Sequence, residues 1–245
     1  MNRMRVKRCI FCGADSSASK SIEHIIPESL GNNTILLEKG VVCDKCNNYF
    51  ARKIEEKALS LEVFKQVRFY NFVENKNGKI PTSDALFCGE RAKVDWVKTE
   101  EGFSMMIGLT PESIVKVMNN PPKCFFMRGY DMQDVQKEAN NQYIFSRFLA
   151  KMAVEYYVYL YLNSCDQNEE VEFEFDSVLK KVINFVRVGR QDARPLKFTI
   201  EKVQKTKGDY CLSIGFDDEK DDLVFFFQIM NDRFLLNLTN NVYSI

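Results

Sequence analysis

The chain has 245 residues, with 34 Lys+Arg against 34 Asp+Glu, 45% hydrophobic and 28% charged residues, the balance of a folded soluble protein of one large or two modest domains. Zero formal net charge excludes a chain that is basic throughout, though not one with a basic patch. A single His excludes chemistry that needs two imidazoles from one chain, so any imidazole-dependent scheme must use His24.

The amino-terminal segment is basic, with Arg3, Arg5, Lys7 and Arg8, and lacks the apolar run of a secretory signal. The longest apolar stretch, Ile144–Leu162, is interrupted by Arg147, Lys151 and Glu155, which makes membrane insertion costly. The expectation is a soluble, cytoplasmic protein that meets no membrane, and in a reducing compartment its eight Cys are metal ligands or buried thiols rather than disulfides. Cys9-x-x-Cys12 and Cys43-x-x-Cys46 form two knuckles separated by thirty residues, the spacing that places four thiolates around one structural zinc ion. Cys88, Cys124, Cys165 and Cys211 are scattered singly and are expected to be ordinary buried thiols.

Between the knuckles, Ile22 to Pro27 forms an apolar run suited to a short strand ending at the proline, with Glu23 directly before His24. The second knuckle opens a helix, with Asp44 as expected N-cap, Phe50 and Ile54 inward, and Arg52, Lys53, Glu55, Glu56 and Lys57 outward. Hairpin followed by helix, clamped by zinc, brings Glu23, His24 and Asn47 towards one another.

Glu23-His-Ile-Ile-Pro27, followed by Leu30-Gly31 and closed by Cys43-x-x-Cys46-Asn47-Asn48, resembles the HNH endonucleases of ββα-metal fold. With four Cys flanking the motif, the segment from Cys9 to Lys57 is similar to the phage endonuclease VII type of nuclease module. The resemblance implies a metal-dependent DNA phosphodiester hydrolase with three catalytic residues, His24 as general base and Glu23 and Asn47 as oxygen ligands of a hard catalytic cation, Mg²⁺ or Mn²⁺. It also implies a setting in restriction or anti-phage defence. An imidazole suits the base role because its neutral form accepts a proton at physiological pH. In many such proteins an Asn about five residues before the second knuckle braces the hairpin loop. Here Glu38 and Lys39 occupy that region, so the brace is missing or supplied by Asn32 or Asn33. Glu23 also stands where Asp is common, and Glu28 is a further acid of the loop. If the brace is missing, the alternative is an inactive zinc-dependent nucleic-acid-binding module. A structure-selective junction resolvase, which would demand a two-fold dimer, is the other.

DNA is the expected partner, with a homodimer or a larger defence assembly as further candidates. Residues 1–70 hold 12 Lys+Arg against 8 Asp+Glu, and the rest of the chain carries the opposite excess. The nucleic-acid contacts expected are Arg3, Arg5, Lys7 and Arg8 on a basic arm and Arg52 and Lys53 beside the metal ligand.

The expected fold class is α+β. A zinc-clamped ββα-metal module over residues 1–58 is followed, over 59–245, by a recognition or assembly domain with a long helix against an antiparallel sheet. Strand-like segments fall at Ala85–Val97, Phe103–Leu109 and Cys124–Arg128, with a short helix from Pro111. The long helix spans Met132–Leu162 with one apolar stripe, Phe145, Phe148, Leu149, Met152, Tyr156, Tyr159 and Leu160, and a second helix covers Phe175–Val188. Leu196–Val203, Tyr210–Phe216, Leu223–Ile229 and Phe234–Leu238 form an antiparallel meander. Aromatics such as Tyr156, Tyr157 and Phe225–Phe227 read as core. Arg187, Arg190 and Arg194 form a local basic cluster, either a DNA contact or a solvated loop.

Overall fold

The computed structural model describes residues 5–75, 77–119, 125–127, 135, 138–166, 169–189, 195–203 and 210–239. Arg3, Cys124, Arg190 and Arg194 lie outside them. The architecture is α+β: a Cys-clustered amino-terminal region, a long helix and two antiparallel sheets.

In the amino-terminal region the expected hairpin is reduced to isolated bridges, Arg8 with Asp15 and His24 with Leu36. A single 3₁₀ turn follows at Glu28–Leu30. The second knuckle starts α1 (Asp44–Phe50), which continues through a π-helical stretch, Ala51–Glu55, into α2 (Glu56–Leu59). The N-cap of α1 is Cys43, whose Sγ accepts from the Cys46 N–H at 3.4 Å, and not Asp44. Asp44 is the first helical residue, and its carboxylate accepts from the Ser21 N–H and hydroxyl, fastening the preceding loop to the helix. Those bonds hold the Asp44 carboxyl below the usual range.

After α3 (Glu62–Tyr70) come β1 (Ser83–Phe87), β2 (Glu90–Thr99), β3 (Gly102–Leu109), α4 (Pro111–Asn119) and β4 (Phe125–Met127), with sheet order β3-β2-β1-β4. The span expected as one strand, Ala85–Val97, is a hairpin. Cys88 and Gly89 both take positive φ, 56° and 80°, as a two-residue turn matched to strand twist requires.

The long helix, α5 (Ala139–Ser164), starts later than expected and is buried on all sides in its central turns, not along one stripe. Phe145, Phe148, Leu149 and Met152 are buried, but so are Ala150, Ala153 and Val154, while Leu160 is exposed. The reason is position: α2, the π-helical stretch, α6 (Ser177–Val188) and the second sheet all pack against α5. The second sheet holds β5 (Phe198–Lys202), β6 (Tyr210–Asp217), β7 (Asp222–Ile229) and β8 (Asp232–Asn237) in the order β5-β8-β7-β6. Only its last three strands form a meander, because the first pairs beyond the last. Phe225, Phe227 and Phe234 are buried, and Phe234 packs on Phe64 of α3 and Phe145 of α5 with ring centroids 6.0 and 5.2 Å apart.

One contiguous apolar cluster runs from Val6 through the knuckles, α1 and α5 to Leu238. A separate small cluster, Phe69, Ala85, Ala92 and Val94, lies under the first sheet, with Trp96 packed on it. The single cysteines differ from expectation. Cys211 is exposed on β6, Cys88 is half-buried in the hairpin turn and Cys165 half-buried at the end of α5. No helix among the described residues is long and apolar enough to cross a membrane.

Candidate active site and four-cysteine centre

The two knuckles are folded onto each other by the backbone. Gly13 donates to the Cys9 carbonyl at 2.8 Å, closing the first turn, and Ile10 donates to the Val41 carbonyl at 3.0 Å, joining it to the approach of the second. The four sulfurs of Cys9, Cys12, Cys43 and Cys46 all lie within 4.8 Å of one another. A tetrahedron with metal–sulfur bonds of zinc length has edges of about 3.8 Å, and Cys12 Sγ stands 3.7 Å from Cys43 Sγ. The cluster therefore fits a structural zinc. The thiols already share protons unequally: the Cys46 thiol holds Cys9 down to about 5, while the Cys46 and Cys43 thiols are pushed up.

Between the knuckles two extended stretches meet as a narrow ribbon at the single His24–Leu36 bridge. Ile25 donates to the Ile35 carbonyl at 3.2 Å and Leu37 to the Glu23 carbonyl at 2.9 Å, so Glu23 and His24 sit at a fixed register. The loop closing the ribbon is braced by Asn32, which is buried. Its amide donates to the Ile26 carbonyl at 2.9 Å and the Ile35 carbonyl at 3.3 Å, and its oxygen accepts from the Thr34 and Ile35 N–H groups at 3.1 Å each. Asn33 is exposed. The brace is thus present, and it comes from within the loop. Gly31 adopts φ 92°, and a Cβ there would meet the Tyr210 hydroxyl at 2.6 Å. That hydroxyl donates to the Leu30 carbonyl, so β6 holds the loop from outside.

Glu23, His24 and Asn47 line one cleft of about 420 Å³, together with Glu28, Glu55 and Glu56. His24 and Asn47 are half-buried, and neither side chain makes a hydrogen bond among the described residues. Glu23 is 5% exposed. Its Oε1 accepts from Lys151 Nζ at 2.7 Å, whereas its buried Oε2 has no hydrogen-bond partner among the described residues. Burial pushes the Glu23 carboxyl up, against the opposing pull of Lys151.

Lys151, on α5, is wholly buried and also pairs with Glu55 Oε1 at 2.8 Å and Glu155 Oε2 at 2.9 Å. Burial alone would lower its ammonium, but Glu155, Glu23 and Glu55 hold it well above the ordinary lysine range. Burial pushes the Glu155 carboxyl well up. Glu55 therefore does not belong to the outer face of the helix. Over eight residues an ideal α-helix would carry Glu55 about 80° around the axis from Asn47. The wider i→i+5 turns at Ala51–Glu55 take up part of that drift, so Asn47, Ala51 and Glu55 line the same cleft.

The basic residues divide. Arg5 is buried and donates to Glu38 Oε1 at 2.9 Å and the Leu162 carbonyl at 3.0 Å, so it is a structural tie and not part of an exposed arm. Lys7 pairs with Glu170 at 2.7 Å, and Arg8 is exposed, its guanidinium on the Gly13 carbonyl. Arg52 and Lys53 are exposed on the π-helical stretch, between the cleft-lining Ala51 and Glu55. Arg187 lines a cavity beside Cys12, Cys43 and Cys46.

Lys151, Glu155 and Glu55 escape a reading of the sequence as function. The available signal was the presence of Lys151 and Glu155, four apart, inside an otherwise apolar helix, where burying charge demands a partner.

No curated protein and no solved structure matches the chain. A family model described as HNH endonuclease matches residues 9–60. That span holds both knuckles, the braced loop and the whole run from Asp44 to Leu59, and with its four-Cys cluster this region of the chain belongs to the HNH endonuclease family.

Proposed function

We propose that the chain is a metal-dependent endonuclease hydrolysing phosphodiester bonds in DNA, with His24 as general base and Glu23 and Asn47 holding one divalent cation, Mg²⁺ or Mn²⁺. The observation that carries this reading is the Glu23 carboxylate, buried with one oxygen unpartnered, in the cleft that His24 and Asn47 also line. A buried anionic oxygen without a donor is costly unless a cation meets it. Glu23 Oε2 and the Asn47 amide oxygen are the hard donors that Mg²⁺ or Mn²⁺ prefers over nitrogen or sulfur. Family membership of residues 9–60 implies nuclease activity and a nucleic-acid substrate.

In this reading His24, with its imidazole unbonded in the cleft, takes a proton from the attacking water. The cation, when bound, neutralises phosphate charge and stabilises the departing 3′ oxygen, leaving a 5′-phosphate. Asn32 keeps the ribbon and loop in one conformation, so that Glu23 and His24 hold their register. Arg52 and Lys53 supply backbone contacts that add affinity without reading sequence, and Arg8 adds to them from the amino-terminal side. The four-Cys zinc is structural. Residues 1–58 act as the nuclease module and 59–245 as a recognition or assembly domain, in a restriction or anti-phage setting. The Asn32 bonds favour this reading over the inactive-module alternative, whose premise is a missing brace.

The test is incubation of plasmid with the protein and Mg²⁺ or Mn²⁺ beside His24→Ala. Cleavage should fall roughly 100-fold or more in the variant. Cleavage undiminished in His24→Ala would sink the mechanism, and retarded plasmid without cuts would restore the binding module. Faster cutting of branched than of linear DNA would favour the resolvase.

A further inference from the structure

The cluster around Lys151 joins two parts of the chain that are 128 residues apart. One ammonium, with no exposed surface, is met by three carboxylates at 2.7, 2.8 and 2.9 Å. Two of them, Glu23 and Glu55, line the cleft, and the third, Glu155, is one helical turn further along α5 and fully buried. Such a group does not serve stability best, because apolar residues of equal volume commonly pack there at no loss. Its geometry does something else: it occupies one oxygen of Glu23 and leaves the other unpartnered and buried.

We infer that Lys151 is a positioning residue of the cleavage site, holding Glu23 by Oε1 so that Oε2 is presented to the divalent cation, and that α5 is thereby part of the nuclease. The inference rests on the reading of Glu23 as a metal ligand. Glu55, held by the same ammonium, is kept at the cleft wall next to Asn47. The extra methylene of Glu over Asp lets one carboxylate reach both α5 and the cleft. Glu155 anchors the lysine from its own helix and so fixes where the ammonium stands. Outer partners of ligating carboxylates set metal affinity by orienting the ligand, and this one comes from outside the segment that matches the family model.

Lys151→Met alone leaves Glu155 buried without its partner, so it is made both singly and with Glu155→Gln. Zinc content and circular dichroism identify the folded variant. In that variant the Mn²⁺ concentration for half-maximal plasmid cleavage should rise roughly tenfold or more, with excess Mn²⁺ restoring the rate and the KM for DNA unchanged. A merely structural lysine would not produce a defect that metal alone reverses. On the unaltered protein, the ¹⁵Nζ signal of Lys151, shielded from exchange by burial, should broaden when Mn²⁺ is added. This second measurement decides the matter if neither variant folds. A half-saturation unmoved in a folded variant, or a Lys151 signal that Mn²⁺ leaves sharp, overturns the inference. His24→Ala separates the two layers: it should abolish cutting while leaving Mn²⁺ broadening of Lys151 intact. Wild-type protein that neither cuts nor binds Mn²⁺ would defeat the reading of the site itself.

Discussion

Asn32 makes five hydrogen bonds with one side chain, two given and three received, inside a loop of the HNH segment. Replacing it with Ala leaves the buried Ile26 carbonyl and the half-buried Ile35 N–H without that partner, while the exposed Thr34 N–H can turn to water. Asn32→Ala should cost about 2 kcal/mol of stability, read by chemical denaturation. Cleavage should fall with it while zinc is retained, because the knuckles do not depend on that amide. A variant as stable and active as the parent would remove Asn32 as the brace. Much at this scale was legible in the sequence. The two Cys pairs, the Glu-His dipeptide and the terminal Asn each stand at a spacing that the chain geometry turns into proximity. The brace was ambiguous between Asn32 and Asn33 because adjacent residues of an irregular loop differ only in which way the backbone turns them. Arg5 was misread for a related reason: composition shows a basic run but not that Glu38 and the end of the long helix meet it.

At the scale of elements, irregularities of backbone set the site. Gly31 follows the 3₁₀ turn in the left-handed region, where a side chain costs about 1 kcal/mol, and the Tyr210 hydroxyl stands where its Cβ would be. Gly31→Ala should therefore destabilise by more than the backbone cost alone, and Tyr210→Phe should recover part of the loss. A thermal-denaturation cycle over the two singles and the double checks this, and strictly additive effects would mean that β6 and the loop are independent. The helix expected over Phe175–Val188 ends at Val188 and starts two residues later than its expected span. Asp176 caps α6 through the Leu179 N–H at 2.8 Å, and Gly189 closes it at φ 56° with the Arg147 guanidinium occupying the space a side chain would need. The Cys88–Gly89 turn was missed because Cys is not a usual residue at positive φ, and the all-round burial of α5 because apolar periodicity reports one face, not what covers the others.

For the molecule as a whole, the partition of the core matters most. The knuckle cysteines share one apolar cluster with α5 and the second sheet, whereas Trp96, the only Trp, packs on the small cluster beneath the first sheet. Chelation of zinc should accordingly collapse far more than residues 9–60. Far-ultraviolet ellipticity should fall with metal release, while Trp96 emission changes later or less. Metal analysis should return one zinc per chain, and Cys43→Ser should reproduce the collapse without a chelator. Emission that moves in step with ellipticity would mean that the two clusters unfold as one unit.

The π-helical stretch, seen as a matter of chain length, is a one-residue surplus in an otherwise regular run from Asp44 to Leu59. Loss of a single codon there would let every backbone bond re-form as ordinary α-helix, and because the wide turns already absorb the extra residue, the residues beyond the gap would keep nearly the same phase. Ala58, buried at 0% exposure, would stay turned to the core. In-frame deletion of an exposed residue at that turn, Arg52 or Lys53, is therefore more tolerable than in a regular helix, where it would turn everything beyond it by about 100°.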